Sequence, residues 1–220
     1  DKHKVLLIED CAQSHFSEYQ DVRAGLTGIA SSFSFYPGKN LGAYGDAGCI
    51  ITDDDDVAEK CRMYANHGAL QKHHHLMEGI NSRMDGLQAA VLSAKLPHIL
   101  EWTRQRIRVA GWYNKYLTGI IGISLPKLRP DSKHTYHLYV IAASKREELK
   151  DYLGSRGIDT QIHYPTPLPF LPAYRYLEAS ESEFPVAKKL QPEILSLPIY
   201  PEMTEEMVGY VAEKIRTFYS

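Results

Sequence analysis

A short, uninterrupted apolar run near the start of the chain, Val5 to Ile8, restricts the folds open to this sequence. A half-exposed strand alternates apolar and polar residues, whereas a continuous apolar run is typical of a strand covered on both faces. The run ends at Glu9 and Asp10. It therefore predicts an α/β fold in which helices cover a parallel sheet.

Further strand and helix signals follow along the chain. Strands are predicted over residues 31–35, 49–52, 137–143, 160–163 and 194–197. Helices are predicted over residues 53–65, from 84 to an interruption at Pro97, and over 99–117, 145–156 and 204–218.

The predicted helices carry more detailed expectations. The helix after residue 84 has apolar residues at i, i+3, i+4 and i+7, which predicts one apolar face formed by Leu87, Ala90, Val91 and Ala94. In the next helix, mostly exposed positions are expected for Arg104, Arg106 and Arg108. Ser144 and Thr204 are the expected N-caps of the last two predicted helices.

Composition argues against several classes of function. With 25 Lys+Arg against 27 Asp+Glu, the formal net charge is −2, so the usual electrostatic reason to propose nucleic acid or an anionic membrane as partner is lacking. No apolar run is long enough to span a bilayer. The 3 cysteines share no close spacing, which favours a reducing cytoplasm over a disulfide framework.

Polar side chains stand at the ends of two predicted strands. Asp10 follows the first strand, Ser34 lies near the end of the second, and Lys39 follows in the next loop. Because ligands of open α/β sheets bind beyond the carboxyl ends of the strands, these side chains could converge on one small anionic ligand. Spacing alone leaves the plainer alternatives open, a turn or capping role for Asp10 and a solvated charge for Lys39. The glycines match neither a P-loop nor a dinucleotide fingerprint.

The histidines His67 and His73–His75 invite a metal hypothesis. Consecutive histidines point to opposite faces of a strand or fan out by about 100° each in a helix, so they cannot easily share one ion. No carboxylate or thiol completes a ligand set. We therefore predict no metal site and favour a mobile polar loop.

Three sequence blocks, in order along the chain, carry a family resemblance. They are IEDCAQ at 8–13, SFSFYPGKNLGAYGDAG at 32–48 and GINSRMDGLQAA at 79–90. Together they closely resemble the DegT-type sugar aminotransferases, the DegT/DnrJ/StrS group. Weaker similarity continues through residues 163–165 and 172–174, so the resemblance covers nearly the whole chain.

The resemblance implies a fold-type I enzyme that uses pyridoxal 5'-phosphate and acts as a homodimer with shared active sites. Lys39 would join the cofactor's aldehyde and then serve as the base that moves a proton. Asp10 would keep the pyridine nitrogen protonated so that the ring can accept electrons. Gln13 would hydrogen-bond the phenolic oxygen of the ring. Ser34 would bind the cofactor phosphate, and Asn81 would bind it from the partner subunit.

The implied reaction is a transfer of the amino group of glutamate to a keto group on a nucleotide-linked sugar, in the cytoplasm. The stretch Asn81–Asp85 is more similar to members that act on 3-keto sugars than to those that act on 4-keto sugars. Expected substrate contacts are Tyr44, His163 and Tyr164. Two alternatives stay open, a catalytically silent sensor or partner subunit and a dehydratase using the same cofactor. Dehydratases of the family replace the lysine by histidine, so Lys39 favours transamination.

The resemblance also sets expectations for domains and for departures. Residues 1–110 would be the C-terminal part of the large mixed-sheet domain and 111–220 the small C-terminal α/β domain, with the seam in the helix around 99–118. Family chains carry a segment ahead of this region, so we expect residues 1–220 alone to bind the cofactor poorly and to show no turnover. Ala47 stands where the family usually has glycine. Pro169 and Leu171 replace a common His and Gln, which leaves substrate contacts from that loop open.

Overall fold

The computed structural model of the chain describes residues 3–220 and has a mixed α/β structure with several small sheets. Its strands are β1 (Ile8–Asp10), β2 (Glu18–Tyr19), β3 (Val22–Arg23), β4 (Ala30–Ser34), β5 (Gly48–Ile51), β6 (Ala69–Gln71), β7 (His74–His75), β8 (Ile123–Ser124), β9 (Ser132–Lys133), β10 (Tyr139–Ala143) and β11 (Ile194–Leu197). Its α-helices are α1 (Asp55–Tyr64), α2 (Gly86–Lys95), α3 (Ile99–Leu117), α4 (Arg146–Gly154), α5 (Pro185–Leu190) and α6 (Glu205–Tyr219). Short 3₁₀ helices cover Leu96–His98, Leu168–Phe170, Pro172–Leu177 and Glu181–Glu183.

The chain divides into two compact units. The first contains the residues up to Arg104 together with Arg129–His137, and the second contains Gln105–Leu128 and Leu138–Ser220. The division falls inside α3, so the two ends of this helix belong to different units.

The main sheet of the first unit has the strand order β1-β4-β5. Strand β1 runs parallel to β4, with Asp10 level with Ser32, and β5 runs antiparallel to β4, with Gly48 level with Ser34. The predicted strands at the start of the chain, at 31–35 and at 49–52 are thus confirmed within a few residues. The parallel pair brings the carboxyl ends of β1 and β4 to one edge of the sheet.

The expectation that Val5–Ile8 is covered on both faces is wrong for the residues that the structure describes. Only Ile8 of this run belongs to β1, and the four side chains are 77%, 73%, 52% and 69% exposed in chain order. Within the described residues, β4 lies beside β1 in the sheet rather than over its faces, which leaves these side chains exposed. The continuous apolar run therefore indicated a strand but did not indicate which elements pack against its faces.

The second unit is built on the antiparallel sheet β11-β10-β8, against which α4 packs. Helices α4 and α6 also contact each other, and the ring of Tyr113 from α3 stacks on Tyr139 of β10 at a centroid distance of 4.8 Å. The core is apolar and almost fully buried; its aliphatic members include Leu117, Ile141, Leu149, Leu153, Leu195 and Ile215. These contacts explain why β10, α4, β11 and α6 were predictable from apolar patterning.

Capping was predicted correctly at one helix and wrongly at another. The hydroxyl of Thr204 accepts a hydrogen bond from the backbone N–H of Met207 and begins α6, as expected. Ser144 does not cap α4. The N-cap is Lys145, which has φ of 55° and makes no side-chain capping bond, because the turn needs a left-handed residue there.

Two further expectations are corrected in the second unit. Arg106 is not on an exposed face: it is buried, and its Nη1 donates a 3.0 Å hydrogen bond to the carbonyl oxygen of Ile199. Burial lowers the pKa of this guanidinium to about 10, and the charge of Glu202 opposes the shift. The strand predicted at 160–163 reduces to a single antiparallel bridge between Gln161 and Ser196.

Within residues 3–220, none of the helices combines the length and the apolar character that a bilayer crossing needs.

Candidate active site

The end of β1 presents a carboxylate in a fixed turn. Asp10 is the last residue of β1, and its Oδ1 accepts a 3.0 Å hydrogen bond from the backbone N–H of Ala12. The chain then stays attached to β4, because the N–H of Cys11 donates to the carbonyl oxygen of Ser32. Asp10 and Gln13 are both exposed. A carboxylate is thus held at the carboxyl end of a parallel strand pair, where ligands of α/β sheets bind, and the exposed Gln13 amide follows in the next turn.

Strand β4 ends at the hydroxyl of Ser34, and the amine of Lys39 follows in the next turn. Ser34 closes the strand about 7 Å beyond the level of Asp10, given the rise per residue of a strand. Its Oγ accepts a 3.3 Å hydrogen bond from the N–H of Tyr36, and the N–H of Lys39 donates to the carbonyl oxygen of Tyr36. This turn directly follows the strand end and contains the half-buried Lys39.

His15, in the turn after β1, packs against two aromatic residues at the end of β4. It is 4% exposed, and its ring contacts Phe33 edge-on at 5.5 Å and Phe35 at 5.8 Å between centroids. Burial lowers the pKa of the His15 imidazole, the backbone of Ser34 opposes this, and the positive charge of Lys39 lowers the pKa further. The parallel pairing of β1 with β4 places Asp10 and Ser34 at the same end of the sheet, and the charge of Lys39 acts on the neighbouring His15.

Asn81 lies on an extended, exposed segment that follows the β6–β7 hairpin. It forms an antiparallel bridge with Asn66, flanked by hydrogen bonds from Ile80 N–H to the Tyr64 carbonyl and from Ser82 N–H to the Ala65 carbonyl. The end of α1 thus fixes the backbone of Asn81 and leaves its side chain exposed.

The histidine cluster belongs to the β6–β7 hairpin, where His73, His74 and His75 are all exposed. The Nδ1 atom of His75 lies 2.8 Å from the carbonyl oxygen of His67. That contact joins the last residue of β7 to the segment before β6, at the end of the hairpin away from its turn.

Two of the expected substrate contacts lie in the second unit. The Nδ1 atom of His163 is 2.8 Å from Oγ of Ser196 on β11, and a cis peptide bond joins His163 to Tyr164. The Tyr164 side chain is 62% exposed. The third expected contact, Tyr44, is 75% exposed in the first unit.

Several residues near Lys39 were missed by the sequence reasoning. Asn40 is buried, with Nδ2 bonded to the carbonyl oxygen of Thr135, and α2 contacts the loop after Lys39 through Gln88 and Lys95. The helical spacing of residues 88, 92 and 95 could have identified this inner face. The apolar residues of the predicted face dominated the sequence pattern instead. Leu87 on that face is 71% exposed, however, and Leu92 is the buried residue of the helix. The predicted apolar face of α2 is therefore wrong as an account of what the helix buries within the described residues.

Comparison with protein families matches residues 1–216 to the DegT/DnrJ/EryC1/StrS aminotransferase family. The chain is 44% identical to a "pleiotropic regulatory protein" of Geobacillus stearothermophilus, over 99% of this chain and 59% of that protein. It is 40% identical to the dTDP-3-amino-3,4,6-trideoxy-alpha-D-glucose transaminase of Streptomyces venezuelae, over 98% of this chain and 57% of that enzyme. The chain thus spans less than two thirds of the length of these curated relatives.

Solved structures of similar proteins have the same fold as this chain. The crystal structure of S. venezuelae DesV, in complex with a ketimine intermediate, superposes with a TM-score of 0.95 at 40% identity and covers 100% of this chain and 59% of DesV. A DegT DnrJ EryC1 StrS aminotransferase from Brucella abortus superposes with a TM-score of 0.92 at 34% identity, over 98% of this chain and 57% of that structure. The chain belongs to the DegT/DnrJ/EryC1/StrS aminotransferase family.

Proposed function

We propose that this protein is a pyridoxal phosphate-dependent aminotransferase that moves an amino group from glutamate to a keto group of a nucleotide-linked sugar. The observation that supports the proposal is the parallel pairing of β1 with β4, which brings Asp10 and Ser34, the last residues of these strands, to the same end of the sheet, with Lys39 in the turn that follows Ser34. Relatives named as sugar transaminases support the reaction class.

The donor set fits pyridoxal phosphate. The cofactor carries an aldehyde, a pyridine nitrogen and a phosphate, for which an amine, a carboxylate and a hydroxyl are suitable partners. When bound, it supplies an electron-accepting ring. The carboxylate of Asp10 is held by Ala12 N–H, which fixes its direction, and the hydroxyl of Ser34 is held at a strand end.

Each residue of the set has a defined task in this proposal. Lys39 holds the cofactor and moves the proton at the substrate carbon, which requires its amine to be neutral during that step. Asp10 keeps a proton on the pyridine nitrogen, and Gln13 donates to the ring's phenolic oxygen. Ser34 binds the phosphate.

Dimerisation completes the site in the proposal. The fixed backbone and free side chain of Asn81 suit a residue that reaches the phosphate in a partner subunit. The homodimer would then be a condition of activity. We assign residues 1–110 to the large domain and 111–220 to the small domain of such a subunit.

The substrate is proposed to be a 3-keto sugar. One relative is named UDP-N-acetyl-3-dehydro-alpha-D-glucosamine 3-aminotransferase, at 37% identity over 98% of this chain, and others are named for 3-amino sugars. Tyr44, His163 and Tyr164 are the proposed substrate contacts. A cytoplasmic location is supported by the three free thiols of Cys11, Cys49 and Cys61.

Isotope transfer tests the reaction. The full-length protein is incubated with pyridoxal phosphate, ¹⁵N-amino glutamate and a panel of 3-keto and 4-keto nucleotide sugars, and products are analysed by mass spectrometry. We expect ¹⁵N in the 3-amino sugar. A deoxy sugar without ¹⁵N would instead support the dehydratase.

A regulatory role is the second candidate, favoured by the Geobacillus relative, which is named a pleiotropic regulatory protein. A silent member would bind cofactor or sugar and return every keto sugar of the panel unchanged. The presence of Lys39 and Asp10 favours the enzyme.

A further inference from the structure

Helix α2 turns one side toward the loop that follows Lys39. This loop, residues 40–46, is called the lysine loop below. The side of α2 that faces it contains Gln88, Leu92 and Lys95, one helical turn apart. Leu92 lies in a buried cluster with Leu41 and Ala43 of the loop. The loop is therefore held by apolar packing through Leu41 and Ala43 and by polar side chains at two positions, Gly42 (called the lysine end below) and Tyr44 (called the substrate end).

At one end, Gln88 fixes the backbone of Tyr44. Its Oε1 accepts a 2.8 Å hydrogen bond from the Tyr44 N–H. A Cβ atom on Gly45 would lie 3.0 Å from Nε2 of Gln88, so the glycine lets the amide approach this closely. The Tyr44 ring stays 75% exposed. Gln88 thus orients an aromatic side chain whose ring is left free for a ligand.

At the other end, Lys95 fixes Gly42. Its Nζ donates a 2.7 Å hydrogen bond to the Gly42 carbonyl oxygen. A Cβ on Gly42 would lie only 2.3 Å from the carbonyl oxygen of Pro37, so Gly42 packs directly against the turn that carries Lys39. The contact from Lys95 is charge-assisted and therefore stronger than one between neutral groups.

Lys95 also joins the two ends of the loop. Its Nζ lies 4.6 Å from the centroid of the Tyr44 ring, within the range of a cation–π contact. One face of the ring is therefore backed by a cation, while the side chain as a whole remains mostly exposed. Two atoms of α2 thus set both the backbone and the ring of Tyr44.

We propose that Gln88 and Lys95 are positioning residues that set Tyr44 for the sugar substrate and, through Gly42, the turn that carries Lys39. This inference rests on the proposed function. Gln88 acts at the substrate end of the lysine loop, whereas Lys95 acts at both ends. The two residues consequently differ in which kinetic constants they control.

Gln88→Leu, in the full-length protein, tests the substrate end. Losing one hydrogen bond that orients Tyr44 is expected to raise KM for the keto sugar about tenfold and to leave kcat within about twofold. Amide exchange at Tyr44 should become about tenfold faster. Gln88→Glu keeps an acceptor oxygen and should restore slow exchange. Ser93→Ala, at an exposed position of the same helix, is the matched control.

Lys95→Met tests the lysine end with a side chain of similar length and no charge. We expect a KM increase like that of Gln88→Leu, together with an increase of about tenfold in the Kd for pyridoxal phosphate, because the turn of Lys39 loses its support. Lys95→Arg keeps the donor and should return both constants toward the wild-type values.

The readouts separate this proposal from the proposed function. If the unmodified protein transfers no ¹⁵N to any sugar, the proposed function fails, and this inference fails with it. If transfer occurs but Gln88→Leu retains the wild-type KM and slow Tyr44 exchange, the positioning role alone is overturned. Should the leucine variant unfold, Gln88→Asn replaces it, since its amide is one methylene too short to reach Tyr44 N–H.

Discussion

The Nδ2 atom of Asn40 donates a 3.0 Å hydrogen bond to the carbonyl oxygen of Thr135, 95 residues away in the chain. Thr135 is 1% exposed, and its hydroxyl lies 3.0 Å from that of Ser17. The residue beside the proposed catalytic lysine is therefore tied to the segment Arg129–His137, which returns to the first unit. That segment forms part of the support of the site.

Asn40→Ala should lower the free energy of unfolding by about 2 kcal/mol, because it leaves the buried Thr135 carbonyl without this donor. Urea denaturation of the full-length protein measures the change. Gln71→Ala, on an exposed strand position, is the control and should stay within about 0.5 kcal/mol of wild type. Equal midpoints for both variants would show that the Asn40–Thr135 contact contributes nothing.

Glu9 carries a predicted acid dependence of stability. Its carboxylate accepts hydrogen bonds from the N–H groups of Gly25, Thr27 and Gly28 at 3.0, 2.7 and 2.9 Å. Burial alone would raise the pKa of this carboxyl, but the backbone bonds outweigh it and hold the pKa below 4.5.

A carboxyl whose pKa is lowered by folding stabilises the protein above its unfolded pKa, and that stabilisation is lost as the pH falls through the folded value. Glu9→Gln should therefore reduce stability at pH 7 by about 1 kcal/mol or more and flatten the loss of stability below pH 4.5. Denaturation at a series of pH values tests this, with Glu59→Gln at an exposed site as control. A slope identical to wild type would refute the role.

His15 carries a second pH dependence. Folding lowers its pKa, so the neutral ring is favoured in the folded state, and the associated stability is present above pH 6.5 and lost as the pH falls through the folded pKa. His15→Phe keeps an aromatic ring beside Phe33 and Phe35 and should remove this part of the pH dependence. His74→Gln, at an exposed position, should retain it. Thermal melts on either side of pH 6.5 give the comparison, and a wild-type slope in His15→Phe would contradict it.

Helices and strands could be predicted from the sequence wherever the pattern within a segment itself indicated which residues are buried. Apolar patterning and the Thr204 cap determined α6 correctly, and the helix predicted over 53–65 is confirmed as α1, whose N-cap Asp54 accepts a hydrogen bond from Val57 N–H. What α2 buries could not be predicted in the same way. The helix has more apolar residues than it buries, and the burial of Leu92 depends on Leu41 and Ala43, which lie in a loop distant in sequence. The exposure of Val5–Ile8 has a similar cause, since one strand's composition does not determine its neighbours.

The position of the candidate site could be predicted because ligands of α/β sheets bind at the carboxyl ends of the strands. Asp10 and Ser34 are the last residues of β1 and β4, so the parallel pairing of these strands is enough to bring them to the same end of the sheet, and Lys39 follows in the next turn. The supporting residues could not be found this way. Asn40 depends on a partner 95 residues away, and Gln88 acts on a backbone N–H 44 residues away, neither of which leaves a local pattern.

Chemical trapping of the cofactor tests the central claim most directly. The full-length protein is equilibrated with pyridoxal phosphate, reduced with borohydride, digested and mapped by peptide mass spectrometry. We predict that the pyridoxyl group is found on Nζ of Lys39, and that Lys39→Arg abolishes the label while Lys72→Arg, at an exposed hairpin position, does not. A label on another lysine at equal yield, or labelling that survives Lys39→Arg, would contradict the assignment of Lys39.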